Sequence, residues 1–114
     1  MTRALYPGTF DPISNGHLDI IQRASQLFGV VDVVVAVNTR KTSLFSVEER
    51  LEMIRECTRH IPNVEVLSHA GLMVDCLRKR NAQVLLREGG PYPRKRSIDH
   101  DRFEGLIYGL SHSP

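Results

Sequence analysis

The chain has 114 residues, 41% of them hydrophobic and 25% charged, which is the size and balance of one globular domain. Fifteen basic against 13 acidic residues leave a net charge of +2, too small to argue for a nucleic-acid partner. No apolar run reaches the roughly 18 residues that a membrane helix needs.

Two cysteines, Cys57 and Cys76, lack the spacing of a zinc site or a disulfide framework. The start, Met1-Thr2-Arg3-Ala4-Leu5, holds no apolar stretch of signal-peptide length. A cytoplasmic protein with reduced thiols is the resulting expectation.

In chain order, the apolar run at residues 4–6 stops at Pro7-Gly8 and predicts a buried strand. From Gly16 the apolar residues Leu18, Ile21, Ala24, Leu27 and Phe28 follow a helical stripe, and Gly29 ends it. Residues 30–37 are almost continuously β-branched, broken only by Asp32, as in a central strand buried on both faces. Ser46 and Glu49 have capping-box spacing and open a second helix with the stripe Val47, Leu51, Ile54, Thr58. Pro62-Asn63 breaks it, and residues 64–67 read as a third strand. Residues 72–80 predict a third helix whose last turn, Arg78-Lys79-Arg80, suits the helix dipole; residues 82–86 give a fourth strand. Alternation of this kind with short connections predicts an α/β fold, a doubly wound, Rossmann-like parallel sheet of about four strands and three helices.

Composition changes near Arg87. The last 27 residues hold 3 of the 6 prolines and 4 of the 8 glycines but only 7 apolar side chains. Two units are therefore expected: a core over residues 1–87 and a poorly ordered tail over 88–114.

In a doubly wound sheet, ligands sit beyond the carboxyl ends of the strands. The loop after the first strand, Pro7 to His17, is the most unusual in the chain. Gly8 lets backbone approach a ligand, Thr9 supplies a hydroxyl, and His17 lies in the first turn of a helix, where free N–H groups attract phosphate. The plainer alternative is a long loop in which Asn15 caps the helix and His17 is incidental. Neither a Walker A motif nor GxGxxG is present. Asp11 precedes a proline and reads as a turn residue rather than a metal ligand. His60, His69, His100 and His112 read as surface groups, and Cys57 and Cys76 as small helix-face hydrophobes.

The run Tyr6-Pro-Gly-Thr-Phe-Asp-Pro-Ile-Ser-Asn-Gly-His17 closely resembles the N-terminal motif of the bacterial phosphopantetheine adenylyltransferases, members of the HxGH-type nucleotidyltransferases. Ser14-Asn-Gly-His17 stands where HxGH would. The resemblance continues through Arg40-Lys41, Phe45-Ser-Val-Glu-Glu-Arg50, Asn63-Val-Glu-Val66, Leu72-Met73 and Val84-Leu-Leu-Arg87.

That resemblance implies transfer of the adenylyl group of ATP to 4′-phosphopantetheine, with magnesium, giving dephospho-coenzyme A and pyrophosphate. It implies that Thr9 and Lys41 hold the reacting phosphates and that His17 donates to the α-phosphate. Arg87 and Met73 would contact the phosphopantetheine, and Phe10 would lie near the nucleotide. Family members are usually homo-oligomers. By residue type alone a solvated lysine is the better reading of Lys41 and a core residue that of Met73, and the motif match reverses the first; Arg87 at an apolar strand end suggests a buried guanidinium that wants an anion.

The resemblance stops after Arg87. The family continues with a glycine, a further arginine and a helix bearing an acidic residue that meets the nucleotide. Here Glu88-Gly-Gly-Pro-Tyr-Pro-Arg-Lys-Arg96 departs from that pattern, and a serine-rich ATP-binding loop has no counterpart. Such a change is expected of a shifted reading frame or a truncated product, with the nucleotide half of the site missing. Two alternatives stand beside adenylyl transfer to phosphopantetheine: a non-catalytic fragment that binds phosphopantetheine or coenzyme A, and a sister nucleotidyltransferase with another phosphorylated substrate.

Overall fold

A computed structural model describes residues 2–87 with their side chains. Beyond them it describes the backbone of Glu88 and of two later strands. In chain order the elements are β1 (Arg3–Gly8), α1 (Asn15–Leu27), β2 (Val30–Val37), α2 (Val47–Thr58), β3 (Val64–Ala70), α3 (Met73–Arg80), β4 (Val84–Glu88), β5 (Arg94–His100) and β6 (Phe103–Leu110).

Local chemistry sets the helix ends. Ser46 caps α2 through a reciprocal box: its Oγ accepts from the Glu49 N–H at 3.1 Å, and Glu49 Oε1 accepts from the Ser46 N–H at 3.0 Å. The backbone N–H at Ser46 holds the Glu49 carboxyl below the usual carboxylate range. At the other extreme α3 ends on Asn81 in the left-handed conformation, with φ 54°, which closes the last turn. The cap of α1 is Ser14 and not Asn15, which is the first residue inside the helix.

The sheet runs in the order β3-β2-β1-β4-β6-β5. All neighbouring pairs are parallel except β5 with β6. Residues alternate between two cores. Ala4, Tyr6, Val31, Val33, Val35, Val84 and Leu86 pack with Ile20, Ile21, Leu51 and Ile54 of α1 and α2. Leu5 and Val34 pack with Cys76 and Leu77 of α3 on the other face. The crossovers step outward from β1 to β3 and then return to β4, which throws α3 to the opposite side. The switch point therefore lies between β1 and β4. β2 carries this architecture, since residues 31–35 are all buried as the sequence predicts. Each fully buried aliphatic side chain contributes about 1.5–3 kcal/mol.

Asp32 interrupts that apolar run for a physical reason. Its fully buried carboxylate accepts from Arg3 Nη1 at 2.7 Å and from Arg80 Nε and Nη2 at 3.0 Å each. Both guanidiniums also reach Glu65, at 2.5 and 3.2 Å. One cluster of charges thus ties β1, β2, β3 and the end of α3 together at the amino-terminal ends of the strands.

Sequence patterning assigns no element after residue 86, yet the backbone of β6 pairs with β4 from Val84↔Leu106 to Glu88↔Leu110. The sparse apolar residues of the tail cluster in β6, and averaging over 27 residues hides that cluster. The expected poor order of the tail concerns residues that, apart from the backbone of these strands, lie outside the described residues. So do the side chains of His100 and His112.

Candidate functional site

The loop from β1 to α1 is folded around a buried ring. Phe10 has φ 48°, a left-handed conformation that costs an ordinary side chain about 1–2 kcal/mol. Burial of the ring offsets this cost: Phe10 is 2% exposed. Its ring meets Tyr6 edge-on at 5.4 Å and the His17 imidazole at 4.9 Å. Gly8 makes room, because a Cβ there would lie 3.0 Å from Phe10 Cε2 and Cζ. Phe10 therefore turns its ring inward, and the whole residue is buried.

Asp11 lies in a turn, as its place before a proline predicts, and its carboxylate has a further task. Its two oxygens accept from the Leu44 N–H at 2.7 Å and the Phe45 N–H at 2.9 Å. The carboxylate thereby pins the β1–α1 loop to the segment that leads into α2. The sequence signal for this partnership is weak, since 33 residues separate the partners.

His17 is the third residue of α1 and completes an unusual capping box. Its N–H donates to Ser14 Oγ at 3.3 Å, and its Nδ1 accepts from the Ser14 N–H at 3.0 Å. A backbone N–H can only donate, so Nδ1 presents its lone pair, and the proton of the neutral ring belongs on Nε2. The box thus fixes His17 as an Nε2–H donor at a helix N-terminus, where the dipole also favours an anion.

A cleft of about 230 Å³ opens beside this loop. Thr9, Asp11, Asn38, Lys41 and Arg50 are among its walls. Thr9 and Lys41, both exposed, are thus brought together from the loops after β1 and β2. Arg50 is 5% exposed. It donates from Nη1 to the Thr9 carbonyl at 3.1 Å and from Nε to the Ser46 carbonyl at 3.4 Å. Sequence reasoning treats Arg50 only as the end of a motif, although position 50 falls on the stripe of Val47, Leu51 and Ile54; its charge masks that signal.

Met73 and Arg87 are not among the cleft walls. Met73 packs partly buried against the core of Leu5, Val34 and Leu77. Arg87 is exposed at the carboxyl end of β4, so the expectation of a buried guanidinium there is corrected. β4 is short, and its last described side chain has left the core. Cys57 is likewise exposed, against the reading of it as a small hydrophobe, whereas Cys76 is buried and its thiol is pushed up mainly by desolvation. His60 sits at the surface against Gln22 Nε2 at 3.2 Å, and His69 Nε2 lies 3.0 Å from the Leu72 carbonyl.

Among the described residues, no three His, Cys, Asp or Glu side chains gather as metal ligands. Asp11, the one carboxylate of the cleft, holds a backbone N–H on each oxygen. The described residues therefore do not fit a protein-held magnesium ion. No helix among them is long and apolar enough to cross a membrane.

Comparisons with known proteins agree with this geometry. The chain is 61% identical over 84 residues to the phosphopantetheine adenylyltransferase of Gloeothece citriformis (strain PCC 7424), covering 74% of this chain and 54% of that protein. It is 53% identical over 87 residues to the protein of the same name from Clostridium botulinum (strain Eklund 17B / Type B), covering 76% and 55%. The chain thus spans about half the length of the curated relatives it matches. A solved structure, the lipopolysaccharide core biosynthesis protein from Thermoplasma volcanium GSS1, superposes with a TM-score of 0.60 over 75% of this chain and 73% of that one. At 23% identity it speaks for the fold alone. The cytidylyltransferase-like family model matches residues 5–100, from inside β1 to the end of β5. That model covers most of the chain, and the chain belongs to the cytidylyltransferase-like family.

Proposed function

We propose that this chain carries the phosphopantetheine side of an adenylyltransferase site, one that joins ATP and 4′-phosphopantetheine into dephospho-coenzyme A and pyrophosphate. The observation that carries the reading is the cleft in which Thr9 and Lys41 meet; His17 is not among its walls and lies on the same β1–α1 loop, its ring against Phe10. In this reaction a phosphate oxygen of the acceptor attacks the α-phosphorus of ATP. A new P–O–P bond forms, the bond to the β-phosphate breaks, and pyrophosphate leaves with the electron pair. Such chemistry asks the protein for positioning and for charge stabilisation.

Lys41 supplies a point charge to the acceptor phosphate, and the Thr9 hydroxyl donates to it or to the α-phosphate. His17 donates from Nε2 to the α-phosphate as charge shifts toward the leaving group. The Phe10 backbone borders the nucleotide. Met73 and Arg87, at the carboxyl-end side of the α3 face, contact the pantetheine arm. Magnesium enters with the phosphates of ATP. The protein acts in the cytoplasm and assembles with further copies of itself.

A second reading has its own support. The curated relatives match only 84–87 residues of this chain, and the sequence after Arg87 departs from their pattern. On that reading the chain binds phosphopantetheine without turning it over. One pair of assays decides between them. Pyrophosphate release from ATP and phosphopantetheine that falls about 10²-fold or more in His17→Ala supports catalysis. Phosphopantetheine binding without release supports the binding fragment. Calorimetry then tests the site itself: Lys41→Ala should weaken phosphopantetheine while leaving pantetheine unchanged, and equal losses for both ligands refute the role of Lys41.

A further inference from the structure

Among the described residues, Arg50 is a buried charge with no ion-pair partner. Asp32, equally buried, is answered by Arg3 and Arg80. Arg50 is 5% exposed, and its two hydrogen bonds go to neutral carbonyls, those of Thr9 and Ser46. The Asp11 carboxylate shares its cleft but is committed to the Leu44 and Phe45 N–H groups. A guanidinium withdrawn from water in this way is stabilised by an anion, and the open side of its surroundings is the cleft that Thr9 and Lys41 also line.

We infer that Arg50 is a second cationic group of this cleft: it holds the Thr9 peptide by its carbonyl oxygen and lends a buried positive charge that a bound phosphate group compensates. The inference rests on the reading of this cleft as a phosphate site and adds a residue to it. Arg50 is a positioning residue, because it acts through Thr9 and through the field at the cleft wall. A charge in a partly desolvated wall is screened less than the exposed ammonium of Lys41, so the two cations respond differently to salt.

The test is calorimetry on the full chain with 4′-phosphopantetheine, pantetheine and inorganic pyrophosphate as probes, at low and high salt. Arg50→Gln removes the charge while keeping a donor for the Thr9 carbonyl. It should lose roughly tenfold in affinity for the two phosphorylated probes, with pantetheine within about twofold. Arg50→Lys keeps the charge and should retain most of the preference for phosphorylated ligands. Equal losses for phosphorylated and unphosphorylated probes in Arg50→Gln overturn the proposal and make Arg50 a purely structural clamp. If Arg50→Gln does not fold, Arg50→Lys decides alone: a retained preference supports the charge, and a collapsed one overturns it. Wild-type chain that binds pyrophosphate in an Arg50-dependent way but ignores phosphopantetheine refutes the substrate reading and sustains Arg50. Wild-type chain that binds neither phosphorylated probe refutes both.

Discussion

Asp32→Asn removes one negative charge from the fully buried centre of a four-residue cluster while keeping its shape. The magnitude follows from the bonds. Asp32 accepts one guanidinium hydrogen bond from Arg3 at 2.7 Å and two from Arg80 at 3.0 Å. Charged hydrogen bonds contribute about 1.5–3 kcal/mol each, which sets a ceiling of roughly 4–9 kcal/mol. Two facts lower it. The Arg3 and Arg80 side chains are 27% and 31% exposed and can rehydrate in part. Both also retain Glu65. Against this, the asparagine amide turns a donor toward a guanidinium that needs an acceptor. The net loss should be about 3 kcal/mol, at the lower end of the cost of breaking a buried pair. For a domain of this size, that is roughly 10–15 °C in Tm. Urea unfolding followed by circular dichroism measures it, with Glu65→Gln as the control. Glu65 is 52% exposed and should cost under about 1 kcal/mol. An Asp32→Asn chain no less stable than Glu65→Gln would refute the reasoning.

Gly8→Ala sets a methyl 3.0 Å from two carbons of the buried Phe10 ring. The expected cost is about 1–3 kcal/mol, with the His17 ring displaced along with Phe10, and an unchanged melting curve would show that the loop yields freely. The bond from Arg3 is the main cause that holds the Glu65 carboxyl below the usual range. Its contribution is therefore complete above the ordinary carboxylate range and is lost as pH falls through the lower folded value. The stability difference between wild type and Glu65→Gln should persist at neutral pH and close in acid; a gap that widens on acidification contradicts the sign. Of the two thiols, the exposed Cys57 should react promptly with a disulfide reagent and the buried Cys76 only on unfolding, and equal rates would disprove the assigned burial.

Much of the framework is legible in the chain because period and punctuation agree. The β-branched run of β2 and the Ser46–Glu49 box are local signals, and each forms as read. What escapes is non-local. That Asp32 finds two arginines depends on residues 29 and 48 positions away. Asp11 bridges 33 residues to the start of α2, and Arg50 reaches back 41 residues to Thr9. Such partnerships carry no period. The left-handed Phe10 goes unread because only its packing against Gly8 and His17 makes it affordable. Arg87 is misjudged because strand context suggests burial, whereas it stands where the described strand leaves the core. For the site, Thr9, Lys41 and His17 are recognisable by motif, but the tautomer of His17 and the bond from Arg50 to the Thr9 carbonyl are visible only in three dimensions.

The edge-on contact of Tyr6, Phe10 and His17 has a consequence for the thermodynamics of ligand capture. The imidazole is held by the Ser14 N–H on one side and by the Phe10 ring on another, so it has few rotamers left to lose. Lys41, exposed on its loop, has nearly all of its own. Immobilising a rotamer-rich side chain costs about 0.5–1.5 kcal/mol on association. In the proposed roles of these two residues, the ordering cost of binding falls unevenly, almost none of it at the histidine and most of it at the lysine. The imidazole is set before a ligand arrives, whereas the ammonium has still to be ordered.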